Sequence, residues 1–160
     1  MPTPTKIILT RSEGDAAQDI ARRRQLGATG SGKRDRFGAQ QKDGMTLHLV
    51  GALGEAAVAK ALGIAYEGTV DTYQEGYDVL NYEVRTRTKD SYDLIVRPGD
   101  KNDAPYILVT QNGTTFNVWG WILGRDAKHA RYLQDFGGRP PAYFVPKSDL
   151  LPLTDLPGRP

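Results

Sequence analysis

Apolar residues recur along this chain with two different periods, and the point where the period changes divides it. Between Met45 and Gly63 the segment MTLHLVGALGEAAVAKALG puts Val50, Leu53, Ala57 and Ala61 at i, i+3, i+7 and i+11, the spacing of one helical face, and Gly63 stands where a helix stop belongs. From Tyr77 onward the period falls to two, with Gly and Asp as punctuation. It predicts strands over Tyr77–Leu80, Tyr82–Thr88, Tyr92–Arg97, Tyr106–Thr110 and Thr115–Ile122, a short helix near Asp126–Gln134 and a last strand at Ala142–Val145. Upstream, SEGDAAQDIARRRQL reads as a short polar helix with Ser12 as N-cap, Asp15 three residues on, Ile20 and Leu26 among its apolar anchors and Gly27 as its stop. Helices first, then mostly antiparallel strands, then one helix and a terminal strand predict an α+β fold, with the Met45 helix packed on one face of a central sheet. The expected organisation is an N-terminal helix and basic loop over 1–44, a core over 45–146 and a proline-rich tail over 147–160 that lies over the surface or is disordered.

At 160 residues the chain fits one domain, and 25% charged with 39% hydrophobic residues is ordinary for a globular protein. The net charge of +2 hardly argues for a polyanionic partner. The distribution argues more: Arg22, Arg23, Arg24, Lys33, Arg34 and Arg36 gather near the N-terminus, and a local patch matters more than a total. There are no cysteines, which excludes disulfides, thiolate nucleophiles and cysteine-ligated metals. No window approaches the ~20 apolar residues of a spanning helix and no signal-peptide stretch opens the chain, so a soluble cytoplasmic protein with no membrane partner is expected.

GATGSGKR, Gly27 to Arg34, comes within one residue of a phosphate-binding loop, but Arg34 stands where a Ser or Thr should reach Mg²⁺. The order of elements is also reversed, with a helix before the glycines and no helix starting at Lys33. A nucleoside triphosphate is therefore not expected as a ligand, and a mobile glycine-rich basic loop is.

Two places hold acids that need a reason. Glu55 has Gly51, Ala52, Val58 and Ala59 as its helical neighbours, and a lone carboxylate on an apolar face is unfavourable unless something pairs with it; the plainer alternatives are a helix turned so that Glu55 faces solvent, or a buried Arg as its partner. In GYDVLNYEVRT, a two-residue bend at Leu80 and Asn81 pairs Val79 with Tyr82 and sets Asp78 opposite Glu83, with Cβ atoms roughly 5 Å apart. Leu disfavours the positive φ of such a bend. Two facing carboxylates repel unless a hard divalent cation lies between them, and Arg85, two residues after Glu83, points to the same side. A solvated hairpin with exposed charges, Arg87 among them, is the plainer alternative.

The pattern D-x₄-E-V-R at Asp78 to Arg85, with GALGEAA upstream at Gly51 to Ala57, resembles the PD-(D/E)XK nuclease superfamily, in particular small proteins carried by phages and prophages. The resemblance runs from about Gly51 to Val145. It implies a restriction-endonuclease-like fold and a Mg²⁺- or Mn²⁺-dependent DNA endonuclease acting in the cytoplasm of a bacterial host. It further implies Asp78 and Glu83 as metal ligands with the Val84 carbonyl as a third, Glu55 as the supporting helix carboxylate, and Arg85 in the position of the family's lysine. Arg85 departs from the pattern. A guanidinium stays protonated, so it can bind phosphate and stabilise charge but cannot act as a base. A nuclease-like domain that binds nucleic acid or a partner protein without cutting is the alternative.

With DNA as the expected partner, Arg22, Arg23, Arg24, Lys33, Arg34, Arg36 and Arg87 are candidate phosphate contacts. Double-strand cuts would imply a homodimer. Trp119 and Trp121 read mainly as core, His48 and His129 match no metal spacing, and Asp100 and Asp103 in PGDKNDAP read as turn acids.

Overall fold

The computed structural model describes residues 2–30, 44–66 and 79–158. Lys33, Arg34 and Arg36 lie outside those residues, as do Tyr77 and Asp78, and of the stretch from Gly27 to Arg34 only residues 27–30 are described. The fold is α+β, with two sheets whose strands are mostly antiparallel.

A short edge strand, β1 (Thr5–Ile8), precedes the first helix and was not expected from the sequence. The helix α1 (Arg11–Gly30) is capped two residues earlier than Ser12. Thr10 Oγ1 accepts from the Glu13 N–H at 3.2 Å and Glu13 Oε1 accepts from the Thr10 N–H at 2.7 Å, a reciprocal capping box. The helix also runs through Gly27, since one interior glycine weakens a helix by only about 1 kcal/mol. The helix α2 (Gly44–Leu62) closes as expected: Gly63 has φ 73° and donates to the Lys60 carbonyl, and the Ile64 N–H reaches back to the Ala59 carbonyl at 2.9 Å.

Then come β2 (Glu83–Arg87), β3 (Leu94–Val96), β4 (Pro105–Asn112) and β5 (Thr115–Leu123). The expected helix over Asp126–Gln134 is instead split into α3 (Gly124–Ala127), a 3₁₀ turn at Ala130–Tyr132 and the two-residue strand β6 (Leu133–Gln134). His129 breaks it, being extended at φ −92°, ψ 142° while its ring nitrogen accepts from the Arg131 N–H, a local bond that competes with helix continuation. The last strand, β7 (Ala142–Val145), has the bounds the alternation predicts.

The four-stranded sheet runs β1-β5-β4-β2 and the three-stranded one β3-β7-β6. β2 lies parallel to β4, whereas every other strand pair is antiparallel. Four layers result. α1 packs on α2 through Ala17, Ile20, Ala21, Ala52 and Ala56. α2 covers one face of the larger sheet through Ala57, Val58 and Leu62 against Val84, Ile107, Val109 and Val118. The other face of that sheet buries Tyr106, Leu108 and Ile122 against Leu94, Val96 and Val145 of the smaller one.

α2 comes close to the sheet at Gly54, where an added Cβ would overlap the Thr86 side chain, 2.8 Å from its Cβ and 2.9 Å from its Cγ2. No side chain fits at that crossing. A β-bulge between Leu108 and Val109 leaves Trp119 out of the register, so Trp119 joins the inter-sheet core while Trp121 faces α2. Strict alternation would have put both on one face.

The tail is ordered over the sheet. Leu151 exchanges backbone bonds with Trp121 at 3.0 and 2.8 Å, the Trp121 indole N–H donates to the Pro152 carbonyl at 3.0 Å, and the Tyr82 hydroxyl donates to the Pro157 carbonyl at 2.6 Å. Among the described residues no helix is long and apolar enough to cross a membrane.

Candidate active site

The bend expected at Leu80 and Asn81 is present. Val79 and Tyr82 exchange both backbone bonds, at 3.2 and 2.9 Å, and Leu80 takes up a φ of 50° with 52% of its surface exposed. Asp78, which the same register would set against Glu83, lies outside the described residues.

Glu83 opens β2 and is 9% exposed. Val84 turns toward α2, so by strand alternation Glu83, Arg85 and Arg87 turn to the other face, beside Tyr106 and Leu108 of the parallel neighbour. There the loop between β3 and β4 meets them. Lys101 Nζ donates to Glu83 Oε1 at 2.7 Å, and Arg85 Nη2 lies 3.0 Å from Asp100 Oδ2. The Arg85 guanidinium also stands 5.0 Å over the Tyr106 ring. The phenol of Tyr106 is held above its ordinary pKa, first by desolvation and then by the negative charge of Asp100, with Arg85 opposing. Two acids and two cations thus alternate along one edge of the sheet. Asp100 is also a turn acid as expected, its Oδ2 accepting the Arg97 N–H at 2.8 Å.

Glu55 does not join this group. Its two carboxylate oxygens receive both guanidinium ends of Arg24, at 2.8 and 2.7 Å, and the Tyr66 hydroxyl donates to Oε1 at 3.0 Å. The pair lies between α1 and α2, on the side of α2 that faces away from the charges of β2. The sequence expectation that Glu55 needs a partner holds, and the partner is an arginine. Arg24, with a side chain 11% exposed, is correspondingly drawn out of the basic patch.

Of the other expected phosphate contacts, Arg22 and Arg23 are exposed on α1, with Arg23 2.7 Å from Asp19. Arg87 is turned inward, donating to the Asp93 carbonyl at 2.7 Å and lying 4.4 Å over the Tyr92 ring, and desolvation lowers its pKa. Lys101 was missed by sequence reasoning; within PGDKNDAP nothing but its charge singles it out. A second polar cluster was missed too. Asp90 accepts from Thr110 at 2.6 Å, Asn117 at 3.0 Å and Asn112 at 3.0 Å, which hold its carboxyl below the ordinary range, Thr110 contributing most. Lys147 nearby is buried, donates to the Tyr92 carbonyl at 2.8 Å, and has its pKa lowered chiefly by desolvation.

The donor set can be tested against a hard divalent cation. Glu55 fits poorly, because both its oxygens already accept from the Arg24 guanidinium and Oε1 from the Tyr66 hydroxyl as well. Glu83 and the Val84 carbonyl present hard oxygen, the kind Mg²⁺ takes, and among the described residues the Glu83 carboxylate is met by Lys101, a lysine on a 41% exposed side chain. Among the described residues no three acidic or histidine side chains gather as they would around a metal ion. Comparison with protein-family models, with characterised proteins and with solved structures found no match to this chain.

Proposed function

We propose that the chain is a metal-dependent DNA nuclease on a restriction-endonuclease-like frame, with Glu83 as its central acid, Asp78 as its second acid, and Arg85 and Lys101 as the cations that meet the phosphate. One observation carries this reading: Lys101 Nζ stands 2.7 Å from the nearly buried Glu83, two strand positions from Arg85. The lysine that the sequence pattern lacks after Glu83 is supplied by another loop. The positive-φ bend just upstream supports it further, since an exposed leucine held at φ 50° is a costly way to make an ordinary turn.

In this reading Arg85, already paired through Nη2 with a carboxylate, exchanges Asp100 for the phosphate oxygens. Lys101 neutralises the charge that grows on phosphorus-bound oxygen as water attacks, the new O–P bond forms and the bridging ester bond breaks. Mg²⁺ or Mn²⁺ on Asp78, Glu83 and the Val84 carbonyl would supply a water of lowered pKa and polarise the phosphate. Glu55 is not part of the chemistry; it joins the two helices. The exposed Arg22 and Arg23 remain as phosphate contacts, with Lys33, Arg34 and Arg36 proposed alongside them.

A second reading, a domain that binds nucleic acid or a partner without cutting, has its own observation: Glu83 with Lys101 and Asp100 with Arg85 form a set of matched charges. Incubating purified protein with single-stranded, duplex and branched DNA, with Mg²⁺ and with Mn²⁺, decides between them. Cleavage that Glu83→Ala abolishes while DNA binding persists supports the nuclease. Intact DNA under every condition rejects it.

A further inference from the structure

A cavity of about 330 Å³ opens on the outer face of the smaller sheet, lined by Ile95, Arg97, Phe136, Arg139, Pro140 and Phe144 among others. Ile95 and Phe144 are register partners on β3 and β7, and because Leu94, Val96 and Val145 turn into the core these two turn outward. Phe136 reaches over them from the loop after β6. It is 75% exposed and meets Phe144 edge to face, with centroids 5.4 Å apart and planes at 83°. The two rings therefore form a floor and a wall, with one aromatic face open to water. Arg97 and Arg139 line the same cavity, while Asp135 in that loop turns to its own backbone, its Oδ1 accepting the Gly137 N–H at 2.9 Å.

We infer that this cavity takes one base of a single-stranded nucleic acid, stacked on Phe136 against Phe144, with the flanking phosphates on Arg97 and Arg139. A π face beside two guanidinium groups matches the two chemistries of a nucleotide strand, a flat ring and a repeating negative charge. The volume suits a nucleoside. A base inside a duplex has both faces already stacked and cannot enter. An uncharged apolar partner would use the phenylalanines but would gain nothing from the guanidinium groups that line the same cavity. The inference concerns binding and is independent of whether Glu83 cuts.

The test is fluorescence anisotropy of a labelled oligothymidylate titrated with the full chain in EDTA, so that cleavage cannot intervene. Phe136→Ala should weaken binding roughly five- to hundredfold, the range for loss of one base stack. Phe136→Trp should restore it and Phe136→Leu should not. Phe136 is largely exposed, so these variants keep their fold, which circular dichroism checks. Arg139→Ala should weaken binding and lower the salt slope by about 0.7. Affinity for a duplex should not depend on Phe136. Equal oligothymidylate binding by wild type and Phe136→Ala, or full rescue by Phe136→Leu, overturns the inference. So does an acidic peptide that binds more tightly than the oligonucleotide with the same dependence on Phe136.

Discussion

Arg24 and Glu55 meet fork to fork across the α1–α2 interface, with Nη1 2.8 Å from Oε2 and Nη2 2.7 Å from Oε1. Side chains only 11% and 5% exposed put this pair in a medium where its two halves are not interchangeable with water. Arg24→Ala strands a buried carboxylate and should destabilise the protein by about 3–5 kcal/mol, while a double replacement by Met at both positions should recover most of the loss. Urea denaturation of the three variants measures it. A double variant no better than Arg24→Ala would mean that the interface needs the charges themselves.

Glu55→Gln separates structure from chemistry. If Glu55 only joins helices, the variant should cleave DNA at the wild-type rate at temperatures where it stays folded, in contrast to Glu83→Ala. Cleavage rates compared below both melting temperatures decide this. A loss of activity in a folded Glu55→Gln would return Glu55 to the active site.

Lys101→Ala should lower kcat by roughly a hundredfold or more, the range for removing one preorganised donor from a developing charge. Lys101→Arg should retain more activity, and Arg85→Lys more than Arg85→Ala. Single-turnover rates at saturating DNA give the comparison, since they read chemistry apart from binding.

The Asp90 carboxylate, held below its ordinary pKa by Thr110, Asn117 and Asn112, stabilises the fold at pH values above the ordinary aspartate range. That contribution is lost as pH falls through the depressed folded-state value. Asp90→Asn mismatches one donor against a donor and should destabilise by about 1–2 kcal/mol at neutral pH. The gap to wild type should narrow as acid protonates Asp90. Denaturation midpoints across an acid titration check the sign, and a gap that widens in acid contradicts it.

Gly54→Ala drives a methyl group into Thr86 and should destabilise by about 1–3 kcal/mol, as overpacked cores do. Adding Thr86→Ala should recover only part, because the Thr86 Cβ itself lies 2.8 Å from the new atom. Thermal melts of both variants suffice.

How far the fold was legible depended on whether the signal was local. The bounds of β7, the end of α2 at Gly63 and the Val79–Tyr82 bend follow from short-range pattern and are as the sequence predicts. The parallel pairing of β2 with β4 was not legible, because a period of two says which side a residue faces and nothing about which strand lies next to it. The single extra residue at Trp119 shows how little is needed to reverse a face. For Glu55 the need for a partner was readable from its apolar neighbours. That the partner is Arg24 was present too, in the i, i+3, i+4, i+7 series of Ala17, Ile20, Ala21 and Arg24, but a polar helix with few apolar anchors gives that face little contrast. Lys101 comes to Glu83 across a loop, and such a meeting has no one-dimensional signature.

The edge strand β1 pairs with β5, Thr5 against Val118 and Ile8 against Thr115. During synthesis β1 therefore has no bonding partner until β5, roughly a hundred residues further along the chain, has been translated. The two helices can dock on each other well before then, but the sheet beneath them closes only once its own neighbour strand emerges, so maturation of this protein is timed by chain length and governed by long-range closure.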